Sequence, residues 1–344
     1  MKNCRLAGRN FTCGICAVFL NKTPGWAKII DIHIKIGNGM KKIAAALLTG
    51  GIFLSFCLPA QADLAQGLAA YRKGDYAAAL KEWQPLAAKG NADAQNNMGV
   101  LHEKGQGVER NFVESVNWYR RAADQGHAQA QNNVGVMHEK GLGVKPDAKE
   151  AASWYMRAAQ RGNANAQNNL GVLYFGGRGV PQDYAQAMQW YRRAAAQNST
   201  NAMNNIGVLF ERGLGVPQNY PEAAQWYRRA AERGQPQAQN NLGVLYEKGL
   251  GVPADMAVAL NWYRSAADQG HAQAQNNLGV LYGSGRGVPA NMAQAYFWFS
   301  LAAARGNPDA ATNREAADRR LTPEQREEAQ NTVRAWKPKL SDKS

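Results

Sequence analysis

The chain has 344 residues, a hydrophobic content of 45% and a formal net charge of +14. This hydrophobic content is that of a folded protein and argues against an intrinsically disordered one. Part of the positive charge lies in residues 1–62, which hold eight Lys or Arg and one acid. No basic run with interleaved aromatic residues is present in the sequence, so nucleic acid is not an expected partner.

The N-terminal segment contains a predicted export signal. A basic start at Met40, an apolar run over 43–58 and small residues ending at Ala62 form a signal peptide, with cleavage before Asp63. The mature protein is therefore expected in the periplasm or outside the cell. No transmembrane anchor is expected after cleavage, because a membrane helix needs about 20 apolar residues. Residues 1–39 are expected to precede the natural start of translation, and a functional N-terminal extension is the alternative.

All four cysteines precede the predicted cleavage site, so disulfides are not expected in the mature chain. Cys13 and Cys16 have the spacing of a redox or metal motif, but the sequence lacks a second such pair. Residues 54–57 loosely resemble a lipoprotein signal, and the bulky Phe56 argues against lipidation. The stability of the mature protein must then come from packing.

Residues 63–91 are predicted to form a helical hairpin that caps the N-terminal end. Its turn lies within 70–76, and its second helix carries Trp83.

From residue 92 to residue 307 the chain repeats itself six times at a spacing of 36 residues. Each unit has an Asn-Asn-x-Gly-Val stretch, a Gly-x-Gly-Val loop and a Trp-Tyr pair, which is Trp-Phe in the last unit. Such self-similarity indicates a stack of small units rather than one globular core. The repeated glycines and tryptophans are Gly99, Gly135, Gly171, Gly207, Gly243, Gly279, Trp118, Trp154, Trp190, Trp226, Trp262 and Trp298.

The third unit illustrates the two helices predicted for each repeat. Leu170 and Leu173 recur at the spacing of one helix face. Gly171 lies inside this helix, where glycine costs about 1 kcal/mol relative to alanine. We therefore expect aromatic side chains of the second helix to approach it closely. A left-handed glycine ends the first helix, and the second is predicted over 184–196.

Residues 308–344 are predicted to cap the C-terminal end with one more first helix and a final helix. Thr322 is the expected N-cap of the final helix, Pro323 its first residue and Gln325 the partner in a capping box.

These motifs resemble the Sel-one-like repeat, a helix-pair relative of the tetratricopeptide repeat, over residues 92–307. Residues 63–91 look like a divergent unit closer to a plain tetratricopeptide repeat. The resemblance implies an all-α, right-handed superhelical solenoid of antiparallel helix pairs that binds other proteins on its concave side. Family members commonly act as adaptors or assembly factors, in bacteria often in the cell envelope. A monomer or weak oligomer is expected.

The first asparagine of each Asn-Asn pair is the leading candidate for binding a partner on the concave face. The period places these side chains in a line, where their amides can bond an extended peptide backbone. The alternative is that the row reflects repeat duplication and that exposed amides bond water. The second asparagines are interpreted as structural, bonding backbone between adjacent units. The six candidates are Asn96, Asn132, Asn168, Asn204, Asn240 and Asn276.

An aromatic position lies six residues after each first asparagine. It is either a tuned recognition position or a half-buried packing position, and packing is the favoured interpretation. The further candidates for partner binding at this position are Tyr174, Phe210, Tyr246 and Tyr282.

The histidines and arginines have simpler interpretations. His102 and His138 occupy the same aromatic position and in principle share a metal, but no third ligand completes a site. His127 and His271 are expected to be solvated in turns between units. Arginine pairs such as the one at Arg120 are interpreted as a solvated face of the second helices.

No motif pairs a nucleophile with a base or forms a zinc-binding helix. We therefore expect no catalytic residue, metal or cofactor, and favour a non-enzymatic exported scaffold that binds a protein or peptide. One alternative is binding of cell-wall glycan or peptidoglycan, and another is hydrolysis of a β-lactam or of the cell wall. A third is an immunity or regulatory protein that occludes one toxin or enzyme.

Overall fold

The computed structural model describes residues 4–6, 9–11 and 63–339. Near the start of the chain, β1 (Cys4–Leu6) pairs antiparallel with β2 (Arg9–Phe11), with Arg5 opposite Asn10. The predicted signal peptide lies outside the described residues. Residues 63–339 belong to a separate compact unit.

Between residues 63 and 339 the described secondary structure is entirely helical. The helices are α1 (Leu64–Arg72), α2 (Tyr76–Ala88), α3 (Ala92–Lys104), α4 (Phe112–Asp124), α5 (Ala128–Lys140), α6 (Ala148–Gln160), α7 (Ala164–Gly176), α8 (Tyr184–Ala196), α9 (Thr200–Arg212), α10 (Tyr220–Ala231), α11 (Pro236–Lys248), α12 (Met256–Asp268), α13 (Ala272–Ser284), α14 (Met292–Ala304), α15 (Ala310–Asp318) and α16 (Pro323–Ala335).

Two helices of nearly constant length form each 36-residue unit, here named the A helix and the B helix. In the first unit these are α3 and α4, and in the sixth they are α13 and α14. Each helix of the six units packs against the helix before it and the helix after it, so the B helix of one unit contacts the A helix of the next. The predicted fold class, an all-α solenoid of antiparallel helix pairs, is confirmed.

An aromatic ring lies against the glycine inside each A helix and leaves no room for a side chain there. A Cβ atom at Gly207 would lie 2.5 Å from Cε1 of Tyr227, and one at Gly171 would lie 2.6 Å from Cε1 of Tyr191. In the sixth unit a phenylalanine ring takes the place of the tyrosine. The close approach predicted from the sequence is confirmed, and the ring responsible belongs to the residue after the tryptophan.

The two glycines of each loop have different roles. Gly177 ends α7 with φ of 65° and donates its N–H to the carbonyl of Leu173, which is the predicted left-handed cap. Gly179 has φ of 72°, and a Cβ atom there would lie 2.1 Å from the carbonyl oxygen of Ala148, at the start of the B helix of the preceding unit. The second glycine therefore lets the loop of one unit sit on its neighbour.

The helices before and after the six units carry local features of their own. At the N-terminal end, Gly67 in α1 lies beneath the ring of Trp83 in α2, as the repeat glycines lie beneath their aromatic rings. At the C-terminal end, Thr322 and Gln325 exchange both hydrogen bonds of the predicted capping box.

Candidate partner-binding surface

The A helices share one face that remains open to solvent. In the third unit, Asn165 is exposed and Asn169 and Val172 are half-buried. Their spacing of four and three residues places them on a single stripe of the helix. Repetition extends this arrangement into an open stripe across the units, in which a row of valines runs beside a row of asparagines. The valine row consists of Val100, Val136, Val172, Val208, Val244 and Val280.

The asparagines of the open stripe are the second members of the Asn-Asn pairs, named here the outer asparagine row. The outer row consists of Asn97, Asn133, Asn169, Asn205, Asn241 and Asn277, all half-buried.

The first members, the six predicted binding residues, form an inner asparagine row that lies largely inside the stack. Asn240 is 4% exposed and Asn204 is 6% exposed, whereas Asn168 is half-buried. The expected exposure is therefore wrong for the five buried members of the row, and a role of the row in partner binding stays a prediction. The one-residue step of about 100° on a helix turns them away from the stripe.

From the second unit to the sixth, each outer asparagine bonds the inner asparagine of the preceding unit. Asn205 donates from Nδ2 to Oδ1 of Asn168 at 3.2 Å, and Asn241 donates in the same way to Asn204 at 3.1 Å. A bond between adjacent units was predicted for the outer row, but its acceptor is a side-chain amide rather than backbone. Inner and outer rows thus hold neighbouring A helices together.

Weaker bonds within the four central Asn-Asn pairs connect these contacts into a chain. Asn204 Nδ2 lies 3.4 Å from Oδ1 of Asn205, and Asn240 Nδ2 lies 3.5 Å from Oδ1 of Asn241. The pattern continues from Asn277 to Asn96, so successive amides polarise one another. Inner amides therefore contribute to the contact between units.

The outer asparagines keep part of their bonding capacity. A primary amide carries two N–H donors and an oxygen with two lone pairs. Within the described part of the chain, Asn241 uses one N–H for Asn204, and its oxygen accepts from Asn240 and from Gln237 at 2.9 Å. The second N–H lies close to the hydroxyl of Tyr227, so it is only partly available to a ligand.

The aromatic position lies at the seam between one unit and the next. Arg228, on the B helix α10, donates to the hydroxyl of Tyr246 on α11 at 2.8 Å, and Arg264 bonds Tyr282 in the same way. Tyr174 and Phe210 are half-buried and pack against the core of the neighbouring units. The structure thus gives these four residues contacts within the stack, and a role in partner binding stays a prediction.

The arginine pairs of the B helices also make contacts within the stack. Arg120 Nη2 lies 3.0 Å from Nε2 of His138 in the next unit. Arg121 stacks on Trp118 at 4.6 Å, and the equivalent stack recurs on Trp154, Trp190 and Trp226. Burial and the charge of Arg120 lower the pKa of His138. Arg120 and Arg121 are nevertheless exposed, as expected of a solvated face, and these contacts come in addition.

His127 and His271 are helix N-caps rather than solvated turn residues. His127 accepts the N–H of Ala130 at Nδ1, 3.0 Å away, and its Nε2 lies 3.0 Å from Oδ1 of Asp93. His271 caps Ala274 at 3.2 Å, and burial lowers its pKa. In residues 63–339, no three His, Cys, Asp or Glu side chains come together as a metal site would require.

Buried tyrosines of the B helices bond glutamates of the A helices. Tyr155 donates to Oε2 of Glu139 at 2.7 Å, and Tyr263 donates to Oε2 of Glu247 at 2.6 Å. Burial, with the neighbouring carboxylate, raises the pKa of both tyrosines. These hydroxyls stay protonated and are structural.

Stacked helix pairs with an open stripe define a solenoid repeat protein. A profile of the Sel1 repeat matches six consecutive spans, 92–127, 128–163, 164–199, 200–235, 236–271 and 272–307. The chain therefore belongs to the Sel1 repeat family, whose members are generally non-enzymatic scaffolds for protein interaction.

Solved structures include similar proteins. A Sel1 repeat protein from Oxalobacter formigenes is 36% identical, with a TM-score of 0.67, over 70% of this chain and 96% of that one. A protective antigen present in uropathogenic Escherichia coli strains is 32% identical, with a TM-score of 0.54, over 79% of this chain and 68% of that one. Among curated proteins no significant match is found. No helix in the described residues is long and apolar enough to cross a membrane.

Proposed function

We propose that the open stripe of the A helices binds an extended segment of a protein partner, and that the chain acts as a non-enzymatic scaffold. The observation that supports this most directly is the valine row. Its side chains are half-buried in all six units and keep part of their apolar surface in contact with water, although the hydrophobic effect favours covering that surface.

The two rows of the stripe suit two parts of a peptide. The free energy of binding becomes more favourable by about 25 cal/mol for each Å² of valine surface that a partner covers. Outer asparagines offer N–H donors to backbone carbonyls of an extended chain, which presents such groups along its length. Repetition of both rows in six units fits a long segment rather than a small molecule.

The valine row, and not the inner asparagine row, is the place to test this proposal. Alanine at Asn168, Asn204 and Asn240 would remove bonds between units, so a loss of binding would not separate recognition from stability. Val172→Glu with Val208→Glu puts two charges on the open stripe and leaves the asparagine bonds in place. Gln189→Glu with Gln225→Glu is the matched control, since both glutamines are exposed on B helices.

Affinity capture from an envelope extract, quantified by mass spectrometry, compares the three proteins. Partners captured by wild type should be lost with the valine variant and retained with the control. Circular dichroism confirms that each variant keeps its helical content. Partners that bind all three proteins equally would contradict the proposal.

Export is the second part of the proposal and rests on the signal peptide predicted over 40–62. The surroundings of Asp63 support a mature N-terminus there. Its side chain caps α1 through the N–H of Ala65, and its backbone nitrogen lies 2.9 Å from Oε2 of Glu82. Cleavage before Asp63 would turn that nitrogen into an ammonium group beside a carboxylate. Mass spectrometry of the protein from periplasmic extract tests this, and a mature N-terminus elsewhere would overturn it.

A further inference from the structure

A partly open cavity of about 230 Å³ lies between the sixth unit and α15. Val280, Gly283, Met292 and Phe299 of the sixth unit form one side of it. Asn313, Ala316 and Ala317 of α15, with Arg320 in the turn that follows it, form the other. Because Val280 is the last member of the valine row, the cavity lies at the C-terminal end of the open stripe. It is named here the end cavity.

The end cavity exists because the sixth unit lacks a pair of side chains that fills this place in others. Four units have a glutamate at the position of Gly283, and each of these bonds a tyrosine at the position of Phe299. The third unit has no such glutamate, but Phe175 occupies its place and packs edge-on against Tyr184 at 5.4 Å. In the sixth unit glycine and phenylalanine leave the space empty.

The next helix, α15, also carries smaller side chains than the A helices of the six units at two positions that line the end cavity. Ala316 stands where six units carry the valine row, and Ala317 stands where they carry leucine or methionine. Small residues therefore line both sides of the end cavity.

The lining of the end cavity determines what it can hold. Val280, Met292 and Phe299 give it apolar walls. Asn313 uses one N–H for Oδ1 of Asn276 at 3.0 Å, which leaves a second donor. The side chain of Arg320 makes no hydrogen bond or ion pair within residues 63–339.

Arg320 is exposed to solvent at the rim of the end cavity, so water hydrates its charge in the free protein and an acid in the ligand can pair with it. Asp318, the last residue of α15, is held by Arg326 at 2.6 Å and does not pair with Arg320. The volume of the cavity is below the roughly 300–1,000 Å³ typical of small-molecule pockets, and suits a single side chain.

We propose that the end cavity is an anchor pocket for the partner segment, taking one large apolar side chain whose neighbouring acidic residue pairs with Arg320. This inference rests on the proposed function, because the segment must lie along the open stripe to place a side chain here. It adds a specificity that the valine and asparagine rows, being alike in every unit, do not provide.

Other units of the chain show which substitutions would fill the end cavity. Gly283→Glu with Phe299→Tyr recreates the pair found in four other units. A Cβ atom at Gly283 would lie 3.6 Å from Cβ of Ala295, an ordinary contact, so the substitution fits the backbone. Ala316→Val with Ala317→Leu fills the pocket from the opposite side and replaces the first variant if that one does not fold.

The probe is a library of random peptides about twelve residues long, displayed on phage and selected on the full chain. Selection is run in parallel on three proteins. They are wild type, the filled variant (Gly283→Glu with Phe299→Tyr, or its replacement) and Val172→Glu with Val208→Glu. Wild type should enrich peptides with an aromatic or large aliphatic residue next to Asp or Glu. A synthetic peptide from that selection should bind the filled variant about 10- to 100-fold more weakly, as loss of a buried apolar side chain implies. Arg320→Gln should weaken it about two- to fivefold, and less at high salt.

The outcomes separate the two proposals. If wild type and the filled variant enrich the same peptides, and the valine variant enriches none, the anchor pocket is wrong and the open stripe stands. If no peptide is enriched on wild type, or the valine variant binds as well as wild type, the proposed function fails and the anchor pocket fails with it.

Discussion

Replacing Gly207 by alanine tests the close contact between the A and B helices of the fourth unit. A Cβ atom at Gly207 would lie 2.5 Å from Cε1 of Tyr227, whose side chain is fully buried and bonds Glu211. Carbon atoms in contact normally lie about 3.5–4.0 Å apart. The ring would therefore have to move by about 1 Å or more in a packed interior.

Two effects of opposite sign decide the result. Alanine is favoured over glycine inside a helix by about 1 kcal/mol, whereas overpacking a core costs about 1–3 kcal/mol. Displacement of Tyr227 also strains its hydrogen bond to Glu211, which adds about 0.5–1.5 kcal/mol. The packing and bonding losses exceed the helical gain, so we expect Gly207→Ala to lower the free energy of unfolding by about 1–3 kcal/mol.

Gly283→Ala, in α13, is the matched control, because its Cβ atom would meet only ordinary contacts with α14. This variant should be as stable as wild type or more stable, by up to about 1 kcal/mol. Urea unfolding followed by circular dichroism at 222 nm measures both, with the slope checked for loss of cooperativity along the stack.

A double-mutant cycle identifies the ring as the cause. In a Tyr227→Ala background the added methyl group has room, so Gly207→Ala should cost much less there than in wild type. Equal costs in the two backgrounds, or a Gly207→Ala protein more stable than wild type, would refute the packing argument.

Three further predictions concern other contacts. Asn204→Ala leaves the amide of Asn241 without its acceptor and should lower the free energy of unfolding by about 1–3 kcal/mol, while the exposed Asn165→Ala should change it by under about 0.5 kcal/mol in the same urea titration. Glu82→Gln removes the carboxylate beside the backbone nitrogen of Asp63 and should destabilise the processed chain by about 0.2–1 kcal/mol, an effect that disappears in high salt. The folded pKa of His271 is lowered, so the stability that its neutral side chain contributes is present above the unfolded pKa of about 6.5 and is lost as pH falls. Asparagine occupies this position in two other units and does not titrate. His271→Asn should therefore make the melting temperature fall less between pH 7.5 and pH 5.5.

The sequence predicts the fold well because every unit repeats the same local signals. The third unit shows this, since its B helix was predicted over 184–196 and is observed as Tyr184–Ala196. Glycine caps, asparagine or aspartate N-caps and the glycine beneath an aromatic ring all act within one helix pair. Six copies of each signal reduce the ambiguity that a single copy would have.

The orientation of the two asparagine rows could not be obtained in the same way. Adjacent residues on a helix point about 100° apart, and both members of the pair are invariant along this chain. The difference arises from the next unit, because Asn205 reaches back to Asn168 over 37 positions. The half-exposed Val172 and Val208 did provide a signal, since a valine recurs after the glycine in every unit, but the sequence does not tell a core valine from a surface one.

The end cavity also depends on comparison between units rather than on any single motif. Glycine at 283 and phenylalanine at 299 are each ordinary residues, and neither suggests a site alone. Their meaning comes from the Glu139 and Tyr155 pair and its equivalents, which show what normally fills the space. Departures from a repeat that occur together, at positions in contact, are thus the changes most able to create a new surface. In this chain they fall at the end of the open stripe. A segment bound to a uniform row could bind equally well after a shift by one unit. An anchor at the end of the row would fix the register of the segment.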